Sequence, residues 1–162
     1  MAERKINLRP ASDADEEFLY ELYCSTRQDE VAQFGWTTEQ ADAFLRMQFT
    51  ARQAAYKIQF PSAVHDVIVF GGRPAGRLII DRPGDKILLT DIAVLSEFQG
   101  NGVAGHIIRQ LQKESATSGL PIILHVDKTN FRGFEFYLKR GFEITCETQL
   151  MWEMEWKGEP AG

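Results

Sequence analysis

Gln99-Gly100-Asn101-Gly102-Val103-Ala104-Gly105 is the stretch on which the reading of this chain turns. Glycines at 100, 102 and 105 spell GxGxxG, the fingerprint of a dinucleotide-binding turn. The same seven residues also spell Gln-x-x-Gly-x-Ala, a different phosphate-cradling pattern. Both rest on one piece of physics. Backbone with little side chain lets N–H groups at a helix N-terminus approach a phosphate, and the helix dipole there favours negative charge. A Walker phosphate loop is excluded because no Gly-Lys-Ser/Thr follows. The flanking sequence has to separate the other two.

With 162 residues the chain is long enough for one domain with a full core and short of the usual two. A single domain is expected over residues 1–156, with a flexible C-terminal tail at 157–162. The 44% hydrophobic and 25% charged fractions are ordinary globular values. A net charge of -5 argues against general nucleic-acid binding, which wants a basic face to neutralise phosphates. No apolar run approaches the length of a membrane span, and Met1-Ala2-Glu3-Arg4-Lys5 leads into polar sequence rather than a signal-peptide core. The expectation is a cytoplasmic protein without membrane or nucleic-acid partners. Cys24 and Cys146 stand far apart with no CxxC, which reads as two structural thiols rather than a disulfide framework or a metal site.

Ile6 and Leu8 alternate with polar residues as a short strand, broken by Pro10-Ala11-Ser12-Asp13. Ser12 with Asp15 resembles a capping box opening a helix that carries Phe18, Leu19, Leu22 and Tyr23 on one face. A second helix is expected from Thr37 or Thr38 through Ala55, after the aromatic link Gln33-Phe34-Gly35-Trp36. From Val64 the period becomes that of strands: Val64–Phe70, a Gly71-Gly72-Arg73-Pro74 turn, then Ala75–Ile80 and Lys86–Val94. A helix from Gly102 to Ser118 ends at Gly119, and Pro121–Val126 reads as a buried strand. Asn130–Arg140 is a short helix stopped by Gly141, and Phe142–Trp156 a closing hairpin.

The dinucleotide reading has support beyond the glycines, because Asp127 lies 22 residues past Gly105, about where a ribose-binding acid belongs. Three features oppose it. Leu95-Ser96-Glu97-Phe98-Gln99 intervenes between the strand and Gly100, where a dinucleotide turn follows its strand almost directly. Only 57 residues follow Gly105, too few for the remaining βαβ units. Three antiparallel-looking strands precede the loop instead of alternating strands and helices.

Asp91-Ile92-Ala93-Val94, Ser96-Glu97-Phe98-Gln99-Gly100-Asn101-Gly102-Val103-Ala104, and Asn130 with Phe136-Tyr137-Leu138-Lys139-Arg140-Gly141-Phe142 together resemble the motifs of the GCN5-related N-acetyltransferase (GNAT) family. The resemblance covers most of the chain, and two correctly ordered motifs are far more specific than either alone. Ala104 stands where glycine is commoner, a substitution that the pattern allows. The resemblance implies a single-domain α/β (α+β) fold with a mixed central sheet of six to seven strands flanked by about four helices. It implies transfer of an acetyl group from acetyl-CoA, as co-substrate, to a primary amine by direct attack in a ternary complex, with no metal. The acceptor would be a small molecule or a peptide, and the enzyme a monomer or homodimer. Two alternatives stay open: a CoA-binding regulatory or structural module without turnover, and a dinucleotide-binding protein.

Carried over residue by residue, the resemblance implies that backbone N–H groups of Gln99, Gly100, Asn101, Gly102, Val103 and Ala104 bind the CoA pyrophosphate. It implies that main-chain groups of Ile92 and Val94, on a bulged strand that splays from its parallel neighbour, bind the pantetheine arm. Val94 N–H would also stabilise the thioester oxyanion. Asn130 would contact CoA or simply cap its helix. Tyr137 is implied as proton donor to the departing thiolate, against a plain core role beside Phe134 and Leu138. Asp91, near the strand bulge, is the candidate general base. His65 and His125 read as structural histidines in strands, and no cysteine is placed as a nucleophile. Acceptor selection in the family falls to the first two helices and their link, together with the late hairpin, which here means Trp36, Phe44, Gln48, Met151 and Trp152; core packing explains these residues about equally well.

Overall fold

The computed structural model of the chain describes residues 5–158. Among them, seven strands form one mixed sheet in the order β1-β2-β3-β4-β5-β7-β6. They are β1 (Ile6–Pro10), β2 (Val64–Phe70), β3 (Arg73–Asp81), β4 (Ile87–Val94), β5 (Ile122–Asp127), β6 (Glu143–Glu147) and β7 (Met151–Trp156). Four α-helices accompany them: α1 (Glu16–Ala32), α2 (Thr38–Gln59), α3 (Val103–Ser118) and α4 (Phe131–Leu138). The order strand, two helices, three strands, loop and helix, strand, helix, hairpin is the one expected from the sequence. Arg73 and Pro74, expected in the turn, already belong to β3, because the left-handed pair Gly71 and Gly72 (φ 58° and 81°) reverses the chain by itself. The expected tail at 157–162 falls partly on residues 159–162, which lie outside the described residues; Gly158 is close-packed, and a Cβ there would stand 2.8 Å from Cα of Ala116.

The chain divides into two compact units. The first takes the residues up to Ile79 together with Ile92–Ala104. Its helical layer is sealed by Leu19, Tyr20, Leu45 and Phe49, with Tyr20 and Tyr23 edge-on or tilted to Phe49. β1 pairs antiparallel with β2 from Ile6↔Phe70 to Pro10↔Asp66. Thr37 and Gln40 form a reciprocal capping box that fixes the start of α2 at Thr38. Ser12 and Asp15 do pair as expected, yet they open a single 3-10 turn that leads into α1 at Glu16.

The second unit holds Ile80–Asp91 and the residues from Gly105 onward. Ile87, Leu89, Ile107, Ile108, Leu111, Ile122, Leu124, Val126, Phe142 and Met154 are buried in it. The parallel β4–β5 ladder runs from Ile87↔Ile122 to Leu89↔Leu124, and β4 then continues to Val94. β5 pairs antiparallel with β7 over its whole length, and β6 closes the sheet with an irregularity between Ile144 and Cys146. Cys24 and Cys146 are free thiols. No helix among the described residues is long and apolar enough to cross a membrane.

Asp15 ties the start of the first unit together. Arg9 donates to both of its oxygens at 2.9 and 2.8 Å, and the Ser12 N–H adds a third bond at 2.9 Å. The Arg9 guanidinium, ahead of the Ser12 bond, holds the Asp15 carboxyl down at about 2. A carboxyl lowered on folding stabilises above its unfolded value and loses that stabilisation as pH falls towards its folded one. Arg9→Met is therefore expected to lower stability near neutral pH, and the gap from the parent should close as pH drops to about 2. Urea unfolding across that range checks this, and a gap that stays constant would contradict it.

Candidate active site

In the first unit β4 ends in a compact device. Leu95-Ser96-Glu97-Phe98-Gln99, the five residues that opposed the dinucleotide reading, turn through a 3-10 helix at Ser96–Phe98. Phe98 is buried edge-on to Phe70 at 5.8 Å, and Arg73 covers its ring while pairing with Glu97 at 3.4 Å. Asn101 Nδ2 donates to the Phe98 carbonyl at 2.9 Å, and Gln99 Nε2 reaches back to the Val94 carbonyl at 3.1 Å. Ile92 and Val94 are half-buried; Gln99 and Gly100 are exposed.

Gly100 and Gly102 adopt φ of 84° and 75°, the left-handed conformation that a Cβ penalises. No atom lies within 4 Å of where a Cβ would stand at either position. The surface over the loop is thus open, and α3 begins at Val103 with first-turn N–H groups that no intrahelical carbonyl can satisfy. An anion fits that arrangement, since donors and dipole act together. Gly105, the third glycine of GxGxxG, has a separate reason within the second unit. A Cβ there would stand 3.0 Å from Arg140 Nη2. Arg140 lies 3.7 Å over the Phe136 ring and donates to the Phe136 carbonyl at 3.1 Å, while Gln112 binds its own carbonyl at 2.9 Å. Nothing in the local sequence signals this packing of Arg140, which depends on α3 and α4 meeting.

Tyr137 of α4 packs edge-on to Phe136 at 5.3 Å and to the buried Phe142 at 5.5 Å. Burial, with the negative charge of Asp91 adding to it, raises its phenol above the ordinary value. The group therefore keeps its proton throughout the range in which the protein is handled. Leu138 is exposed, and Phe134 stacks on Trp152 instead, at 5.7 Å. Asn130 caps α4, accepting from Gly133 N–H at 3.0 Å. Asp127, the decoy ribose acid, accepts from both the N–H and the hydroxyl of Thr129 at 2.8 and 2.6 Å, which builds the turn into α4.

Of the residues read as acceptor-facing, Trp36 and Phe44 are brought together. Phe34 stacks on Trp36 at 4.8 Å and Phe44 meets it edge-on at 4.9 Å. Gln48 accepts from the Tyr23 hydroxyl at 3.2 Å, a tie between α1 and α2. In the second unit Trp152 lies under Lys128 Nζ at 4.4 Å, and Met151 is exposed beside it in sequence. His125 is paired with Glu153 at 3.2 Å and His65 lies edge-on to Tyr56 at 6.3 Å, in keeping with structural histidines. Among the described residues no group of three or more His, Cys, Asp or Glu side chains is placed to hold a metal.

Replacing Gly102 by alanine puts a Cβ on a left-handed residue and is expected to cost about 1–2 kcal/mol even with nothing bound. Urea denaturation measures this, and an unchanged midpoint would show that the loop is not held in this conformation.

A sequence model of the acetyltransferase (GNAT) family matches residues 17–142. No curated protein matches the chain by sequence. Among solved structures, it is similar to the PaiA N-acetyltransferase of Thermoplasma acidophilum in complex with coenzyme A, at 18% identity and a TM-score of 0.71 over 94% of this chain and 99% of that one. The ribosomal-protein-S18-alanine N-acetyltransferase of Escherichia coli matches at 17% identity and a TM-score of 0.64, over 98% and 97% of the two chains. Arabidopsis thaliana Naa50, in complex with the bisubstrate analogue CoA-Ac-MVNAL, matches at 15% and 0.59 over 94% and 98%. These likenesses show the fold; the match over residues 17–142 shows that the chain belongs to the acetyltransferase (GNAT) family.

Proposed function

We propose that this protein is a cytoplasmic N-acetyltransferase that moves the acetyl group of acetyl-CoA to a primary amine of a small molecule or peptide by direct attack. The observation that carries this reading is the open pair of left-handed glycines, Gly100 and Gly102, at the start of α3. A thioester supplies an activated acyl carbon, so the chain has only to hold, orient and manage protons. Backbone N–H groups of residues 99–104 hold the pyrophosphate, where the α3 dipole favours its charge. Main-chain groups of Ile92 and Val94 align the pantetheine arm as an added strand would, and Asn130 contributes from the cap of α4. The Val94 N–H donates to the acetyl oxygen as negative charge develops there.

An ammonium acceptor must lose a proton before its nitrogen attacks, and Asp91 is the proposed base. As the C–N bond forms and the C–S bond breaks, Tyr137 donates from its protonated hydroxyl to the leaving thiolate. Its raised pKa keeps the phenol protonated, the state that a donor needs, and makes it a weaker acid, so the proton moves only as negative charge builds on the sulfur. On the acceptor side the aromatic cluster of exposed Trp36 and half-buried Phe44, with Gln48, and the pair Met151 and Trp152 are the proposed contacts. The structural likeness to an enzyme named for an alanine of a ribosomal protein, and to one in complex with the bisubstrate analogue CoA-Ac-MVNAL, makes peptide amines one class to assay.

Thiol release from acetyl-CoA across a panel of polyamines, amino-acid amides and peptide N-termini tests the reading. Turnover with at least one class is expected; CoA binding without turnover on any would favour a non-catalytic CoA-binding module. Tyr137→Phe should lower kcat on the order of 100-fold while leaving CoA affinity near the parent value. Because Tyr137 titrates above its ordinary value of 10.0, kcat should show no loss from its ionisation below about pH 10; an alkaline limb near pH 8 that vanishes in Tyr137→Phe would contradict the assignment. Gly102→Asp places a carboxylate at the phosphate, and unchanged CoA affinity in the folded variant would remove the loop from the binding site.

A further inference from the structure

A glycine in the middle of a strand usually marks a close backbone approach, and β3 carries one at Gly76. An ideal Cβ at Gly76 would stand 2.3 Å from the carbonyl oxygen of Ala93 on β4, and 3.3 Å from its carbonyl carbon. The oxygen is the nearest atom, so the Ala93 carbonyl is aimed at the space that a side chain would fill. No side chain other than hydrogen fits there without displacing backbone.

The direction of that carbonyl fixes its partner. No cis peptide bond is present among the described residues, and across a planar trans peptide C=O and N–H point in opposite senses. With the Ala93 oxygen turned onto Gly76, the Val94 N–H points away from β3. The next peptide is pinned the other way, because Leu95 N–H donates to the Ala75 carbonyl at 2.8 Å. Val94 therefore turns both its N–H and its carbonyl away from β3. The carbonyl is taken by Gln99 Nε2 at 3.1 Å, which leaves the N–H as the outward-facing donor of this residue.

We infer that Gly76 is a positioning residue for acetyl recognition: by admitting the Ala93 carbonyl it sets the Ala93–Val94 peptide so that Val94 N–H meets the thioester oxygen. The inference rests on the proposed acetyl transfer, and it assigns to β3 a part in binding that no side chain there performs. It also gives Gln99 a second task, occupying the acceptor beside that donor so that the outward edge of Val94 presents a donor only.

The test follows the Val94 amide by 15N NMR in protein saturated with CoA and then with acetyl-CoA, which differ only by the acetyl group. In the parent, acetyl-CoA is expected to move the Val94 amide proton downfield relative to CoA, as a new acceptor on that N–H would. In Gly76→Ala this acetyl-specific shift should disappear while CoA still perturbs residues 99–104. Gly84→Ala, strained at a turn with φ +120° and open space around it, serves as a destabilised control that keeps the shift. Identical Val94 positions with CoA and acetyl-CoA in the parent, or a retained shift in folded Gly76→Ala, would overturn the inference. Identical Val94 positions in the parent overturn the inference whether or not Gly76→Ala folds. If neither ligand perturbs residues 99–104, the proposed function has failed and the inference falls with it.

Discussion

A helix can offer its first N–H groups to a phosphate only if the incoming chain leaves the space in front of them clear. Here that constraint is met by two left-handed residues, Gly100 and Gly102, between a strand end and the first turn of α3. Ordinary residues resist that conformation, and a helix entered through a regular cap side chain would cover the same donors. The loop stays in place because its flanks are anchored: Phe98 is buried against Phe70, and the Asn101 and Gln99 side chains tie the turn to backbone carbonyls of Phe98 and Val94. Positive φ at two glycines is thus bought with one buried aromatic and two amide side chains.

The same economy of side chains recurs along β4. Its contribution to the proposed site is made by main-chain atoms, so the identities of Ile92, Ala93 and Val94 report packing, and control passes to neighbours. Gly76 acts by lacking a Cβ, and Gln99 by filling an acceptor. In the second unit the logic is electrostatic. Tyr137 is held among Phe136 and Phe142 with Asp91 raising the cost of its ionisation, so the phenol remains a donor.

Much of this was legible in sequence because the signals are local. Apolar periodicity placed all four helices, turn chemistry placed the β2–β3 hairpin, and Asn130 read correctly as a cap. The spacing between β4 and Gly100 separated the two loop readings, and the structure supplies the reason: those residues form the plug and turn that seat the loop. What local signals do not carry is cross-strand register. Gly76 appears in sequence only as an isolated strand glycine, and nothing nearby says that Ala93 faces it. The packing of Arg140 on Gly105 and the bond from Gln99 to Val94 also join residues whose meeting depends on tertiary geometry. For the acceptor-side aromatics the sequence carries residue type alone. Gln48, beside them, holds α1 to α2 through Tyr23, whereas exposed Trp36 meets the half-buried Phe44 edge-on.

The central claim is that the glycine loop cradles the pyrophosphate of CoA. Isothermal titration of the parent protein with CoA and, separately, with NADH tests it most directly, because both ligands carry a pyrophosphate and an adenosine but only one carries a pantetheine arm. The account predicts saturable binding of CoA and none of NADH. Binding of NADH with none of CoA would contradict it.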